Sequence, residues 1–262
     1  MTGVQTCALP IFLDGAIPAD VEYLFWVGCA GAYEDRAKKT TKAVAELLHK
    51  AGVTFGVLGE GETCTGDPAR RAGNEFLYQM LAAQNIEVLG EVFKERESKK
   101  VVVTCPHCFT TLGRDYEQLG LKLEVVHHTQ LLNKLVRDKK LVPVSPVKQN
   151  ITYHDPCYLG RHNQIYQPPR ELLESTGVDL VEMPRNQERS FCCGAGGGRM
   201  WQEEKLGSRI NLNRVDEAIA TGAAEIAVGC PFCRVMISDG VRGREADVEV
   251  LDVAQEIGRA HV

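Results

Sequence analysis

The sequence predicts an α/β protein of two similar, pseudo-repeated domains, each a mainly parallel sheet flanked by helices. From residue 21 onward, short apolar, β-branched runs alternate with amphipathic stretches, which is the pattern of strand–helix units. The alternation restarts after a segment at 141–147 that holds two prolines and has no helical period. The cysteines of the two passes are in register. We therefore predict a first domain at 21–140 and a second at 150–255.

The register of the cysteines indicates an internal duplication. Cys29 matches Cys157 and Cys64 matches Cys192 at a separation of 128 residues (157 − 29 and 192 − 64), and Cys105 matches Cys230 at 125 (230 − 105). Both passes end in Cys-Pro-x-Cys after an apolar run. Four matched cysteines are very improbable by chance, so the repeat does not depend on the assignment of individual elements.

The elements of the first domain follow from apolar periodicity and from Gly and Pro at their ends. Strands are predicted at 22–27, 53–58, 101–104 and 123–126, and helices at 36–50, from 67 to about 97 with a break near Asn85, from Pro106 to Gly120, and at 130–137. In the second domain we predict strands at 151–154, 178–183, 225–228 and 248–251, and helices at 170–175 and 211–220.

Composition excludes several functional classes. The net charge is -5 without a run of basic residues, so no nucleic-acid partner is predicted. The longest apolar runs are far shorter than the roughly 18–20 residues that span a bilayer. Ten cysteines at the ends of apolar runs indicate metal or redox chemistry rather than a disulfide scaffold.

Both termini resemble translations of sequencing-adapter DNA joined to an open reading frame. We predict that residues 1–11 and 256–262 have this origin, and we therefore exclude Cys7 and His261 from the candidate site. The same observation predicts that the chain is a fragment of a longer protein.

The second domain holds the richer set of thiols, which are Cys157, Cys192, Cys193, Cys230 and Cys233. Five thiolates exceed the four that zinc takes, whereas adjacent cysteines can each bind a different iron of a cluster. The five are therefore predicted to bind an open or distorted iron–sulfur cluster, or four of them a cluster and one to serve exchange chemistry. The Gly-rich loop at 194–198 would let the backbone approach the cluster closely.

The first domain holds four thiols, at Cys29, Cys64, Cys105 and Cys108, and has Thr65 where the second domain has its adjacent cysteine. Four cysteines fit tetrahedral zinc or a four-ligand cluster equally well, so the predicted metal is zinc or an iron site. His107, between two of these cysteines, is predicted to support the ligands rather than to bind metal. Structural roles are predicted for the remaining histidines near strand ends, which are His127, His128 and His154.

Three other interpretations remain open at this stage. A zinc-stabilised, non-catalytic assembly module would use the same thiols. A thiol–disulfide oxidoreductase would present Cys-Pro-x-Cys at a helix N-terminus, although this explains only part of the cysteine set. A phosphate cradle at the Gly-rich loop would require a strand directly before it and a helix after it.

The second-domain motifs Cys192-Cys193-Gly194 and Cys230-Pro231-Phe232-Cys233, with Cys157, resemble the cysteine-rich CCG domain of heterodisulfide reductase and its relatives. Those relatives include iron–sulfur subunits of glycerol-3-phosphate dehydrogenase and of lactate utilisation. The resemblance covers nearly all of 21–255. The stretch at 62–71 is most similar to membrane iron–sulfur oxidoreductases associated with electron-transferring flavoprotein.

The resemblance implies a 4Fe-4S cluster, noncubane in heterodisulfide reductase, on the five second-domain cysteines, and a metal of unspecified identity on the four of the first domain. It also implies oxidoreductase activity with a redox partner of ferredoxin or flavoprotein type, such as electron-transferring flavoprotein. The expected location is the cytoplasm, or the inner face of the cytoplasmic membrane when further parts of a parent chain anchor it.

Overall fold

A computed structural model of the chain describes residues 11–202, 205 and 207–260, so Cys7 and His261 lie outside the described residues. Every strand pair in the described part is parallel, and helices connect the strands. This confirms the predicted α/β class with mainly parallel sheets.

From residue 11 onward, the described part of the first half contains five strands and six α-helices. The strands are β1 (Ile11–Phe12), β2 (Tyr23–Trp26), β3 (Phe55–Val57), β4 (Lys100–Val103) and β5 (Glu124–His127). The helices are α1 (Gly28–Tyr33), α2 (Asp35–Lys50), α3 (Asp67–Arg71), α4 (Glu75–Val92), α5 (Pro106–Thr110), which a π-helical turn (Thr111–Asp115) continues, and α6 (His128–Arg137); 3-10 turns lie at Gly59–Gly61 and Glu117–Leu119.

Four strands and four α-helices lie in the residues of the second half that the structure describes. The strands are β6 (Asn150–His154), β7 (Asp179–Leu180), β8 (Glu225–Val228) and β9 (Glu249–Asp252), and the helices are α7 (Gln167–Glu174), α8 (Ile210–Ile219), α9 (Pro231–Gly243) and α10 (Val253–Arg259). Two 3-10 turns lie at Gln187–Arg189 and Arg199–Trp201. Residues 138–149 form no helix or strand and connect the halves.

The two sheets share one topology. With β1 set aside, the order β3-β2-β4-β5 of the first sheet recurs in the second as β7-β6-β8-β9. The registers also correspond, because Trp26 pairs with Val103 in the first sheet and His154 pairs with Val228 in the second. The predicted pseudo-repeat is thereby confirmed.

One apolar core is shared by both halves and fixes how they dock. It includes Leu48 of α2 and Leu132 of α6 from the first half, and Leu172 of α7 and Ala254 of α10 from the second, all completely buried. Helix α2 shows how such a face arises, since Val44, Leu47 and Leu48 recur at helical spacing on its buried side. Each half has a further core of its own.

Some elements differ from the sequence-based prediction. The helix predicted from 67 to about 97 is not broken near Asn85, which lies buried inside α4, but at 72–74. Gly73 has a left-handed φ of 85° there, and the Asn74 side chain accepts a hydrogen bond from the Leu77 backbone N–H to cap α4. The strand predicted at 178–183 is reduced to the two residues of β7.

The terminal segments also form structure. Strand β1 pairs with β3, and Ile257 and Ala260 at the end of α10 are completely buried. The adapter origin of residues 1–11 and 256–262 stays a prediction. Among the described residues, no helix is long and apolar enough to cross a bilayer.

Candidate metal centre

The thiols gather at the carboxyl ends of the parallel strands. Cys29 follows β2 and Cys105 follows β4 in the first half, and in the second half Cys157 follows β6 and Cys230 follows β8. In each sheet these two strands are neighbours, and the chain runs outward from them in opposite directions. This is the switch point at which open parallel sheets bind ligands.

The Cys-Pro-x-Cys motifs adopt the same local structure in both halves. Cys105 is the N-cap of α5 and Cys230 the N-cap of α9, each with proline as the first helical residue. Proline suits this position because its fixed φ matches the helix and its missing N–H would have no partner there. The helix turn then brings Cys108 and Cys233 back to the site.

In the first half, Cys64 is held by a neighbouring thiol and by the backbone. The hydrogen bond from Cys29 lowers the pKa of Cys64 to about 7 and raises that of Cys29. The Gly66 N–H lies 3.5 Å from the Cys64 sulfur and donates to it. Gly66 has a φ of 86°, and a Cβ there would lie 2.9 Å from the Tyr78 ring, so glycine is needed for this turn.

The second half repeats this arrangement. The hydrogen bond from Cys157 is the largest cause of the pKa of Cys192 lying far below its usual value, and it raises the pKa of Cys157. The Gly194 N–H donates to the Cys192 sulfur over 3.2 Å, again from a glycine with left-handed φ, here 90°. Each half therefore pairs a thiol of raised pKa with a thiol of lowered pKa that also accepts a backbone N–H.

The fifth thiol has a polar counterpart in the first half. The sulfurs of Cys193 and Cys233 lie within 4.8 Å of each other. In the first half, the Thr65 hydroxyl lies 3.9 Å from the sulfur of Cys108, which is the counterpart of Cys233. Both Thr65 and Cys193 are buried. The two sets of thiols thus have the same layout, with a hydroxyl in place of one sulfur in the first.

The two sets meet at Cys105 and Cys230, because the Cys230 thiol helps to lower the pKa of Cys105 and the Cys105 thiol helps to raise that of Cys230. Burial raises the pKa of Cys105, but hydrogen bonds from Cys108 and Cys230 outweigh this and hold it well below its usual value. The middle residues of the two motifs also touch, since the ring centroids of His107 and Phe232 are 5.3 Å apart. All nine sequence-predicted cysteines therefore belong to one continuous region between the halves.

A charged network closes one side of this region. His107 Nδ1 lies 2.7 Å from an Asp67 carboxylate oxygen, and the other oxygen accepts a hydrogen bond from Arg71 at 2.9 Å. The His107 ring stacks on Tyr158, next in sequence to Cys157, with centroids 4.0 Å apart. Burial lowers the pKa of His107, but the hydrogen bond to Asp67 raises it above its usual value overall. The contacts of His107 described here fit the predicted supporting role.

Two further side chains adjoin the thiols, although neither was predicted from the sequence to belong to the site. A ring nitrogen of His154 and the sulfurs of Cys193 and Cys233 all lie within 4.8 Å of one another. Glu62, two residues before Cys64, accepts hydrogen bonds from the backbone N–H groups of Val27 and Gly28. Burial raises the pKa of Glu62 to about 7. The short separation between Glu62 and Cys64 in the sequence could have indicated that Glu62 belongs to the site. The position of His154 beside the thiols is seen only in the folded structure.

Glu62 also lines a cleft of about 870 Å³ beside Cys29 and Cys64. Its walls are largely apolar and include Phe25 and Phe55. The first set of thiols therefore has an open flank.

Burial argues against thiol–disulfide exchange at the Cys-Pro-x-Cys motifs. Cys105 is 5% exposed and Cys230 1% exposed, whereas exchange needs a sulfur that a partner thiol can reach. The phosphate interpretation also lacks its requirement, because the Gly-rich loop leads into the short 3-10 turn at Arg199–Trp201 rather than into the N-terminus of an α-helix.

The donor set suits an iron–sulfur cluster. All nine cysteines in the described part of the chain are free, and each set combines soft sulfur ligands with backbone N–H groups directed at sulfur. Four thiols also suit zinc, so the first set is compatible with either metal.

Comparison with known proteins agrees with this chemistry. The family model for the cysteine-rich domain CCG matches residues 23–113 and again 151–238. The chain is 45% identical over 244 residues to "Probable iron-sulfur-binding oxidoreductase FadF" of Bacillus subtilis, covering 92% of this chain and 34% of that protein. It is 45% identical over 250 residues to "EtfAB:quinone oxidoreductase" of Syntrophomonas wolfei, with the same two coverages.

A third relative is a subunit of the dihydromethanophenazine:CoB–CoM heterodisulfide reductase of Methanosarcina barkeri. It is 34% identical over 254 residues, which cover 94% of this chain and 61% of that protein. The chain thus spans about a third of the length of the first two relatives and about three fifths of the third.

Proposed function

Because this chain belongs to the cysteine-rich CCG domain family, we propose that it is an iron–sulfur electron-transfer module of a heterodisulfide reductase-like oxidoreductase. In this proposal a 4Fe-4S cluster, noncubane as the five thiols suggest, is held by the second set of thiols, which are Cys157, Cys192, Cys193, Cys230 and Cys233. The first set, Cys29, Cys64, Cys105 and Cys108, holds zinc or an iron site. The functional domains correspond to residues 21–140 and 150–255.

The contact between Cys105 and Cys230 carries this proposal. Two independent metal sites would not need to adjoin, whereas here the buried Cys105 and Cys230 are near enough to shift each other's pKa, which would bring the two centres within range for electron exchange. A bound cluster would supply one-electron redox chemistry here. The surrounding residues exclude water, since Cys105, Cys193 and Cys233 are all buried, and the Gly66 and Gly194 N–H groups stabilise negative charge on sulfur.

The names of the relatives suggest where the electrons come from and go. EtfAB, in the name of the Syntrophomonas relative, points to electron-transferring flavoprotein as donor, and a ferredoxin-type domain is the other candidate. Quinone and heterodisulfide in the same names suggest a quinone pathway or a disulfide as acceptor. We propose a cytoplasmic location, or the inner face of the cytoplasmic membrane in a longer parent chain.

Metal analysis of the anaerobically purified full chain tests the proposal. Iron and acid-labile sulfide are measured per chain with electron paramagnetic resonance, for the wild type and for Cys193→Ser, Cys64→Ser and Cys7→Ser. We expect about four iron and four sulfide for the second set of thiols. The paramagnetic signal should change in Cys193→Ser but not in the control Cys7→Ser. The metal whose content falls in Cys64→Ser, either zinc or iron, is the metal of the first set.

The alternative is a zinc-stabilised, non-catalytic module. Thr65 favours it for the first set, because it leaves the four thiols that structural zinc takes. Zinc in both sets, without sulfide or a paramagnetic signal on reduction, would refute the iron–sulfur proposal.

A further inference from the structure

An unpaired N–H donor occupies the same position in both halves. The last residue of β6 is His154 and the last residue of β2 is Trp26, each three positions before the first thiol of its set. Both side chains are 1% exposed. His154 Nε2 and Trp26 Nε1 are buried and have no hydrogen-bond partner among the described residues. A buried N–H without a partner is costly, so two at equivalent positions call for a common acceptor.

Both groups adjoin sulfur. A ring nitrogen of His154 lies within 4.8 Å of the sulfurs of Cys193 and Cys233. For Trp26, a Cβ built on Gly28 would lie 3.6 Å from the sulfur of Cys108 and 3.9 Å from Cδ1 of the indole, the carbon bonded to Nε1. The indole edge and the Cys108 sulfur therefore border the same space, as His154 and Cys233 do in the other half.

The surroundings of His154 determine which nitrogen carries the proton. The Arg214 Nε–H donates to His154 Nδ1 over 3.0 Å. Arg214 is completely buried and is held by the Arg185 carbonyl at 2.8 Å and by Glu217 at 2.9 Å. Because a guanidinium can only donate, Nδ1 has to accept, and a neutral imidazole then carries its hydrogen on Nε2.

This tautomer opposes metal ligation by His154. A ligating histidine usually donates its other N–H to a carboxylate or a carbonyl, and here that nitrogen faces a guanidinium instead. Ligation through Nε2 would require an imidazolate. Trp26 supports the same reasoning, because an indole N–H can donate but cannot serve as a ligand.

We propose that His154 and Trp26 each direct one fixed N–H donor at the metal-bound sulfurs of their own set, and that His154 thereby stabilises the reduced state of the second-set cluster. The inference rests on the proposed function, since it requires sulfur that carries negative charge from a bound centre. Hydrogen bonds to sulfur raise the reduction potential because the reduced centre is the more negative one. In the second half, Arg214 acts through His154 by fixing its tautomer.

The tautomer can be tested without any metal. Nitrogen-15 NMR of histidine in the metal-free wild type, with His154 assigned by comparison with His154→Gln, is expected to show a neutral ring protonated at Nε2. A ring protonated at Nδ1, or at both nitrogens, would overturn the inference.

The effect on the centre is tested with His154→Leu, which removes the donor, and with His154→Gln, whose amide N–H can replace Nε2–H. Iron and sulfide content and the midpoint potential from a paramagnetic-resonance redox titration are measured for both. We expect full metal content in both variants. At the wild-type midpoint potential, the ratio of reduced to oxidised cluster should fall about tenfold in the leucine variant, which is a lowering of the midpoint potential by about 59 mV for one electron. In the glutamine variant the same ratio should fall less than about twofold.

The outcomes separate the two proposals. If the wild type binds iron and sulfide and the leucine variant has an unchanged midpoint potential, this inference alone is refuted. Loss of iron from both variants also refutes it, because His154 would then be a ligand. A wild type without iron and sulfide refutes the proposed function first. If the leucine variant does not fold, pulsed paramagnetic resonance of the reduced wild type decides, because a ligating nitrogen couples strongly and a hydrogen-bonded one weakly. Where the first set holds iron, Trp26→Phe gives the same test for that set.

Discussion

Replacing Gly194 by alanine should destabilise the protein and weaken its second set of thiols. The φ of 90° lies in the left-handed region, which costs a non-glycine residue about 1–2 kcal/mol. The new methyl group would lie 3.2 Å from Ile210 Cβ and 3.3 Å from Met236 Cε, which adds about 1 kcal/mol of overpacking. The lower chain entropy of unfolded alanine offsets about 0.4–1 kcal/mol. The net loss is about 1–3 kcal/mol.

Gly196 in the same loop provides the matched control. A Cβ at Gly196 would have no described atom within 4 Å, and its φ lies outside the left-handed range. Gly196→Ala should therefore leave the stability unchanged or raise the free energy of unfolding by at most about 1 kcal/mol, through the lower entropy of the unfolded chain. Urea unfolding of the metal-free proteins, followed by circular dichroism, measures both values.

A second measurement connects this substitution to the site. In the wild type the Gly194 nitrogen lies 3.2 Å from the Cys192 sulfur, and the alanine methyl group should push the backbone out of this position. Gly194→Ala should therefore also retain less iron and sulfide than Gly196→Ala. Equal stabilities of the two variants, or equal metal content, would refute the reasoning that the left-handed turn serves the thiolate.

Three further predictions concern other parts of the fold. Arg170→Met should destabilise the protein by about 3–5 kcal/mol, because Asp155, only 2% exposed, loses two hydrogen bonds of 2.7 and 2.8 Å, whereas Arg242→Met at the surface should have little effect in the same urea experiment. Glu62 has a native pKa near 7 against an ordinary 4.5, so the native state binds the proton more tightly and loses stability as pH rises from 4.5 to 7. Across that range, the free energy of unfolding of the metal-free wild type should fall relative to that of Glu62→Gln by at most about 3 kcal/mol. The fall should be smaller than this limit because the side chain is only half-buried. A difference between the two proteins that does not depend on pH would contradict the prediction. Gly90→Ala, inside α4 with no described atom within 4 Å of the new Cβ, should raise the thermal midpoint through a gain of about 1 kcal/mol, and an unchanged midpoint would contradict it.

Much of the fold could be predicted because its signals are local. The alternation of strands and helices follows from apolar periodicity, and the duplication follows from cysteines repeated at 128 and 125 residues. The break in the helical region after α3 was misplaced because Asn85 resembles a helix breaker in sequence. Inside the fold, its amide donates to the Cys64 carbonyl at 3.0 Å and to the Tyr116 hydroxyl at 3.1 Å, which stabilises it within the helix.

The sequence by itself determined the α/β class and the pseudo-repeat, and it predicted which thiols belong to each set, since these depend on spacing along the chain. Only the tertiary structure decided that the sets meet at Cys105 and Cys230, and that the Thr65 hydroxyl stands in for the fifth thiol. It also decided that His154 faces sulfur while Arg214, 60 residues away, holds its other nitrogen. Such contacts depend on how two sheets dock through their shared core, and neither periodicity nor motif spacing encodes that geometry.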